Sequence, residues 1–192
     1  MTPPQFDLSK TNRKSPRAHK FDADIAALEA APVAGTWLQN LREVFSAQAM
    51  ERGLEAARAN KVRRITIGPG EISGQVRAEV GDTREVSVAI PMIPETSWDR
   101  LVEAMSEEAI YAACLLERRF PPELESKFAS QGVPLVPRGK DMFTVNWDGD
   151  GRPERWRAAA IGWILAQRLL SDPLLIVECR GQSVETLSDR LR

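Results

Sequence analysis

The sequence predicts an α+β fold, in which a three-stranded antiparallel meander packs with several helices and a further strand–helix unit follows. Three observations carry this. The hydrophobic period changes along the chain, from three- and four-residue spacing to alternation and back again. Three β-rich runs, VRRITI (62–67), ISGQVRAEV (72–80) and EVSVAIP (85–91), are joined by GPGE and GDTR, which suit tight connections rather than crossover helices. Apolar stretches flanked by Pro, Gly, Ser and Asp recur on either side of that sheet and read as helices.

Residues 1–20 read as a disordered basic tail, with Pro, Ser, Thr and Asn and with Lys10, Arg13, Lys14, Arg17 and Lys20 set against Asp7 alone. Residues 21–192 read as a single α+β domain, divided into a helix–sheet scaffold (21–137) and a segment with the C-terminal helices (138–192). DADIAALEAA (22–31) suits a short helix starting at Asp22 or Asp24. Pro32 and Gly35 are expected to break the chain, so that a second helix opens at Thr36 and buries Trp37, Leu41, Val44 and Phe45. ERGLEAARANK is a third helical piece ending near Asn60. In the meander, Ile65, Ile67, Val86, Val88 and Ile90 alternate as on a sheet with one covered face.

Beyond the meander, TSWDRLVEAM predicts a helix with a Thr/Ser cap and with Trp98, Leu101, Val102 and Met105 on one side. EEAIYAACLLERRF is an apolar helix stopped by Pro121 and Pro122. PPELESKFASQG is another, closed by Gly132. VPLVPRGKDMFTVNW is extended, with room for two short strands, and DGDGRPE is a loop. RWRAAAIGWILAQRLL is the most apolar helix, ended by Ser171, Asp172 and Pro173, and SVETLSDRLR is a last helix capped by Ser183.

Composition narrows the function classes. Hydrophobic residues make up 43% of the chain and charged residues 28%, with a net charge of -1, so whole-molecule attraction to nucleic acid or an anionic membrane is not expected. No apolar run approaches the roughly 20 residues of a membrane span, and the N-terminus lacks an apolar signal core, so the expected location is cytoplasmic. The one histidine, His19, falls in the tail, which argues against a histidine base or a multi-histidine metal site. Gly68-Pro69-Gly70 lacks the Lys-Ser/Thr ending of a phosphate loop and reads as a hairpin turn. Asp148, Asp150 and Glu154 resemble a fragment of a calcium loop, but its closing Glu is missing. Cys114 and Cys179 read as small buried hydrophobes. No catalytic set survives, and an enzyme is not expected.

Several segments, in order, resemble the SWIM zinc-finger family. GTWLQNLREVF is similar to that family's entry helix, and ERGLEAARANKVRRITIGPGEISGQVRAE to its helix, strand, Pro-Gly turn and strand. EVSVAIPMIPETSWDRLVEAM, FPPELESKFASQGVPLVP and AAAIGWILAQRLLSDPLLIVECRG continue the series, so the resemblance spans about residues 35–191. It implies an accessory role beside helicase-like ATPases. The chain departs from the family at its centre. Counting back from Asp172-Pro173, the Cys-x-His pair falls on Arg155 and Arg157, and the Cys-x-Cys pair falls within Met142–Asp148, where there is no cysteine. Arg offers neither thiolate nor imidazole, so no zinc or other cofactor is expected.

In place of the metal, Phe143, Val145, Trp147, Trp156 and Trp163 are expected to form a hydrophobic plug. Arg138, Lys140, Arg152, Arg155 and Arg157 gather positive charge around it and are the candidate nucleic-acid-binding residues. The resulting expectation is a non-enzymatic interaction module that binds a partner protein, with a helicase-like ATPase as one candidate, and/or nucleic acid. The alternative is a structural subunit of a larger assembly or homo-oligomer.

Overall fold

The computed structural model describes residues 19–79, 81–121, 123–139, 144–148 and 154–192. Among these, the helices are α1 (Ile25–Ala30), α2 (Pro32–Val44), α3 (Ala47–Arg58), α4 (Glu95–Ser106), α5 (Ala109–Leu116), α6 (Leu124–Ser130), α7 (Arg155–Ser171), α8 (Leu175–Cys179) and α9 (Val184–Arg190). The strands are β1 (Val62–Gly68), β2 (Glu71–Arg77), β3 (Thr83–Ala89) and β4 (Thr144–Trp147). The α+β class is as expected, but the meander has four strands in the order β1-β2-β3-β4, all antiparallel. The expected three-stranded sheet is thus extended by TVNW, which adds to β3 with Val86 opposite Trp147 and Val88 opposite Val145.

Alternation along the strands sets the covered face. Ile72 and Val76 of β2 and Val86 and Val88 of β3 are buried, while their sequence neighbours are half-buried or exposed. β1 departs from strict alternation because Arg63 and Arg64 are both exposed. A bulge lies between Arg63 and Thr66, and Arg64 adopts φ 50°, so the extra residue returns Ile65 to the core. Gly74 lies across from that point, and a Cβ there would stand 2.7 Å from Ile65 Cδ1.

The core is organised around α7. Every residue from Trp156 to Ala166 is buried, because α7 is covered by α1, α2, α3 and the sheet. A helix apolar on all sides belongs in the centre of a fold. Small residues let its neighbours approach. A Cβ on Gly53 of α3 would lie 2.8 Å from Ala160 N and 2.9 Å from Ala159 Cβ. Trp37 of α2 donates its indole N–H to Gly162 O at 3.0 Å, and Trp163 donates to Met50 O at 3.0 Å.

Several helix boundaries differ from expectation. α2 opens at Pro32 and not at Thr36, because proline at the first helical position gives up no needed N–H. Pro32 therefore starts the helix, and Gly35 sits inside it, where a Cβ would lie 2.5 Å from Glu29 O. α4 follows Pro94, with no side-chain cap bond, and so begins before the expected Thr/Ser cap. α5 ends at Leu116, ahead of Pro121, in a turn where Arg118 has φ 52°. LLIVECRG contains the short helix α8. Asp24 and Ser183 do cap α1 and α9, accepting from Ala26 N at 3.2 Å and Thr186 N at 3.0 Å.

The expected tail ends earlier than residue 20. His19 is buried, its N–H donates to Val62 O at 3.1 Å, and Lys20 O accepts from Gln167 Nε2 at 3.0 Å. Gln167 Oε1 also accepts from Asp22 N and Ala23 N, at 2.9 and 3.0 Å, so one amide side chain on α7 fastens the segment leading into α1.

Candidate interaction site at the strand–helix junction

The candidate site lies where β4 ends and α7 begins. Lys140, Phe143 and Arg152 lie outside the described residues. Val145 and Trp147, two of the residues expected to form the plug, stand on the covered side of the sheet, half-buried and packed against the core. Trp156 and Trp163 are buried, seven residues apart on α7 and so on one helix face. Phe21 meets Trp163 edge to face, with ring centroids 5.8 Å apart.

Arg157 departs from the sequence-based expectation. The sequence groups it with the candidate nucleic-acid-binding basic residues, yet its side chain is 1% exposed. Its Nη2 donates to Asp82 Oδ2 at 2.6 Å, its Nε to Glu154 Oε2 at 2.5 Å, and its Nη1 to Val76 O at 2.6 Å. The guanidinium therefore ties the first turn of α7 to β2 and to the β2–β3 turn. These bonds withdraw Arg157 from any phosphate. A buried cation is tolerable here because charged and carbonyl acceptors replace its water.

The other basic candidates are also engaged locally. Arg155 donates to Val44 O at 2.8 Å and its guanidinium lies 5.0 Å from the Phe45 ring centroid. It thereby satisfies a carbonyl at the last turn of α2, where positive charge is favourable. Arg138 is exposed and pairs with Glu125 at 3.3 Å. Among the described residues, no hydrogen bond or ion pair joins Arg138 to Arg155 or Arg157. Trp156 is held between two cations, with Arg52 4.3 Å and Arg157 4.8 Å from its ring. Its burial removes the ring from base stacking.

The start of α7 is thus tied to β2 and to the β2–β3 turn by an arginine clasp beside the buried Trp156 ring, and not by apolar groups alone. Asp82, Glu154 and Arg52 are the residues that sequence reasoning missed. Asp82 lies in a turn that reads only as Gly-Asp punctuation, and it is 75 positions from Arg157, with no local pattern linking them. Among the described residues, no group of three or more His, Cys, Asp or Glu is arranged to hold a metal ion.

Elsewhere, burial governs the titratable groups. It pushes the Cys179 thiol up to about 12, leaving little thiolate for reaction, and Cys114 is likewise a free buried thiol. Burial pulls Arg180 down to about 10; its guanidinium donates to Pro134 O at 3.2 Å and also to Pro91 O, joining two loops to the end of α8. Burial, with Arg168 second, lowers the His19 imidazole. No helix among the described residues is long and apolar enough to cross a membrane.

No family model matches the chain, and no solved structure matches it. It is similar to Rv2102 of Mycobacterium tuberculosis, an uncharacterized protein, with 25% identity over 161 residues. The match takes in 81% of this chain and 58% of that relative, so the chain spans less than two thirds of the relative's length.

Proposed function

We propose that this chain is a non-enzymatic accessory module that binds a partner protein through its SWIM-like segment, with the zinc-holding role replaced by the Arg157 clasp and the packed indoles. The observation that carries this reading is the position of β4. It is the last strand of the sheet, within the segment that bears the finger in SWIM proteins, and no strand among the described residues pairs with its outer edge. Thr144 and Asn146 point to the exposed side. An edge strand offers backbone donors and acceptors to an extended segment of another protein. The engaged state of Arg155 and Arg157 favours a protein partner over nucleic acid. The resemblance makes a helicase-like ATPase the first candidate.

The test is co-purification from the source cell with the tagged chain. A defined protein should be retained in stoichiometric amount and lost when Thr144 and Asn146 are both changed to Lys, which blunts the edge while keeping the fold. Retention by the double variant, or a salt-dependent shift of DNA or RNA with no protein partner, would count against the reading.

A second reading, a structural subunit, is favoured by α5. Ile110 is 50% exposed and Leu116 53% exposed. They stand on a helix whose Tyr111, Cys114 and Leu115 face the core. Light scattering across a concentration series tests it. Self-association removed by Ile110→Glu with Leu116→Glu supports the subunit reading, and a strict monomer opposes self-association.

A further inference from the structure

The segment AIYAACLL, which forms α5, is apolar along its whole length. A helix apolar on all sides is expected to be covered on all sides. Tyr111, Cys114 and Leu115 do face the core, but Ala109, Ile110, Ala113 and Leu116 are exposed, and their three- and four-residue spacing makes one continuous stripe along the helix. The two ends of the stripe carry opposite charge. Glu107 and Glu108 precede α5, Arg118 and Arg119 follow it, and all four are exposed. Glu108 is paired with Lys127, and Arg118 with Asp172 and Glu185, within the chain. Among the described residues Glu107 forms no ion pair, and Arg119 pairs with its exposed neighbour Glu117. The order of these residues reads the same in reverse with the charges exchanged. Glu107 and Arg119 stand equally far from Ala113, and so do Ile110 and Leu116.

We infer that α5 pairs antiparallel with α5 of a second copy of this chain, about a two-fold axis at Ala113, in a weak and reversible homodimer. The inference rests on the structural-subunit reading above and names its partner. Under a two-fold axis, a residue that contacts another is contacted by its equivalent in return. With Ala113 on the axis, Ile110 lies against Leu116 of the second copy and Glu107 against Arg119 of the second copy, each contact being made twice. The small residue at the centre lets the helices approach closely. A parallel pairing would set Glu107 against Glu107 and Arg119 against Arg119, so charge selects the antiparallel one. A second copy carries the complementary order of charges by construction, whereas an unrelated protein would have to supply it independently. The stripe is short, on a helix of 8 residues. It falls below the roughly 800 Å² per partner of a stable interface, so the expected dissociation constant is on the order of 100 µM.

The experiment is sedimentation equilibrium of the full chain from about 10 µM to about 1 mM, in low salt so that ion pairs are little screened. The wild type should pass from monomer to dimer across this range. Ala113→Glu sets two like charges on the axis, and Glu107→Arg and Arg119→Glu each oppose like charges across it. Each of the three should raise the dissociation constant about tenfold or more. An equimolar mixture of Glu107→Arg and Arg119→Glu should restore the dimer, because in the mixed pair every charge meets its opposite. All three side chains are exposed, so the variants should fold, and far-ultraviolet circular dichroism checks this. A chain that stays monomeric throughout overturns the inference; a different protein that co-purifies with it and is lost on Ile110→Glu would in that case leave the subunit reading in place. A dimer that the charge reversals leave unchanged, or that the mixture fails to restore, overturns the antiparallel pairing.

Discussion

Arg157 and His19 show how single residues acquire their role from position. Arg157 has two carboxylates and the main-chain carbonyls of Val76 and Asp82 as partners, and Asp82 supplies the carboxylate that is distant in sequence. Replacing Asp82 with Asn keeps the shape but leaves the buried guanidinium short of an anion. The expected loss is about 1.5–3 kcal/mol, the usual worth of a hydrogen bond to a charged group, read by urea unfolding. Replacing Glu85, an exposed acid on the same strand pair, should change little.

His19 accepts from Arg168 Nη2 through Nδ1 at 3.1 Å, and its Nε2 is buried without a partner. Protonation would place a second cation against Arg168 in a site that already disfavours charge. The folded imidazole therefore titrates below its ordinary 6.5, and the unfolded chain takes up the proton first as pH falls. Stability from this group is complete above 6.5 and declines as pH drops through the interval between the unfolded and folded values. Thermal melts from about pH 7 to about pH 5 should show a steeper decline for the wild type than for His19→Gln, and equal slopes would remove His19 as the cause.

At the scale of elements, the α3–α7 contact depends on having no side chain at Gly53. A Cβ there meets backbone and Ala159 Cβ, neither of which rotates away, whereas a Cβ on Gly162 meets Leu41 Cδ1 at 2.7 Å, the far end of a flexible side chain. Gly53→Ala should therefore cost about 1–3 kcal/mol by overpacking, more than Gly162→Ala, and the order of the two melting temperatures checks it. The same elements show what local sequence conveys. The period of α7, the caps of α1 and α9 and the hairpins of the meander were legible because each is written within a few adjacent residues. The start of α2 was not, because Pro32 reads equally as a breaker and as a first helical residue, and the tight seat of Gly35 against Glu29 only exists once α1 and α2 have packed. β4 was legible as extended chain only; its pairing to β3 joins residues about sixty positions apart.

For the molecule as a whole, the resemblance to a zinc-finger family, with Arg155 and Arg157 standing where two of its ligands would fall, leads to one measurable outcome. Purified protein should contain no stoichiometric zinc, and a chelator should leave the melting temperature unchanged, whereas a chain that depended on bound zinc would lose its fold. The candidate site was partly legible. Burial of Trp156 and Trp163 was legible from their apolar neighbours, and both are buried. The basic patch was expected from composition, and composition does not tell a solvated arginine from one turned inward to meet Asp82.

The α+β class, an antiparallel meander and the apolar helix that becomes α7 are written in local periodicity and residue chemistry, and were legible for that reason. That Arg157 is buried against Asp82 and that β4 joins the sheet became visible only in the folded chain. Those facts depend on which distant segments are brought together, and a hydrogen bond or an unpaired charge has no meaning until both neighbours are in place.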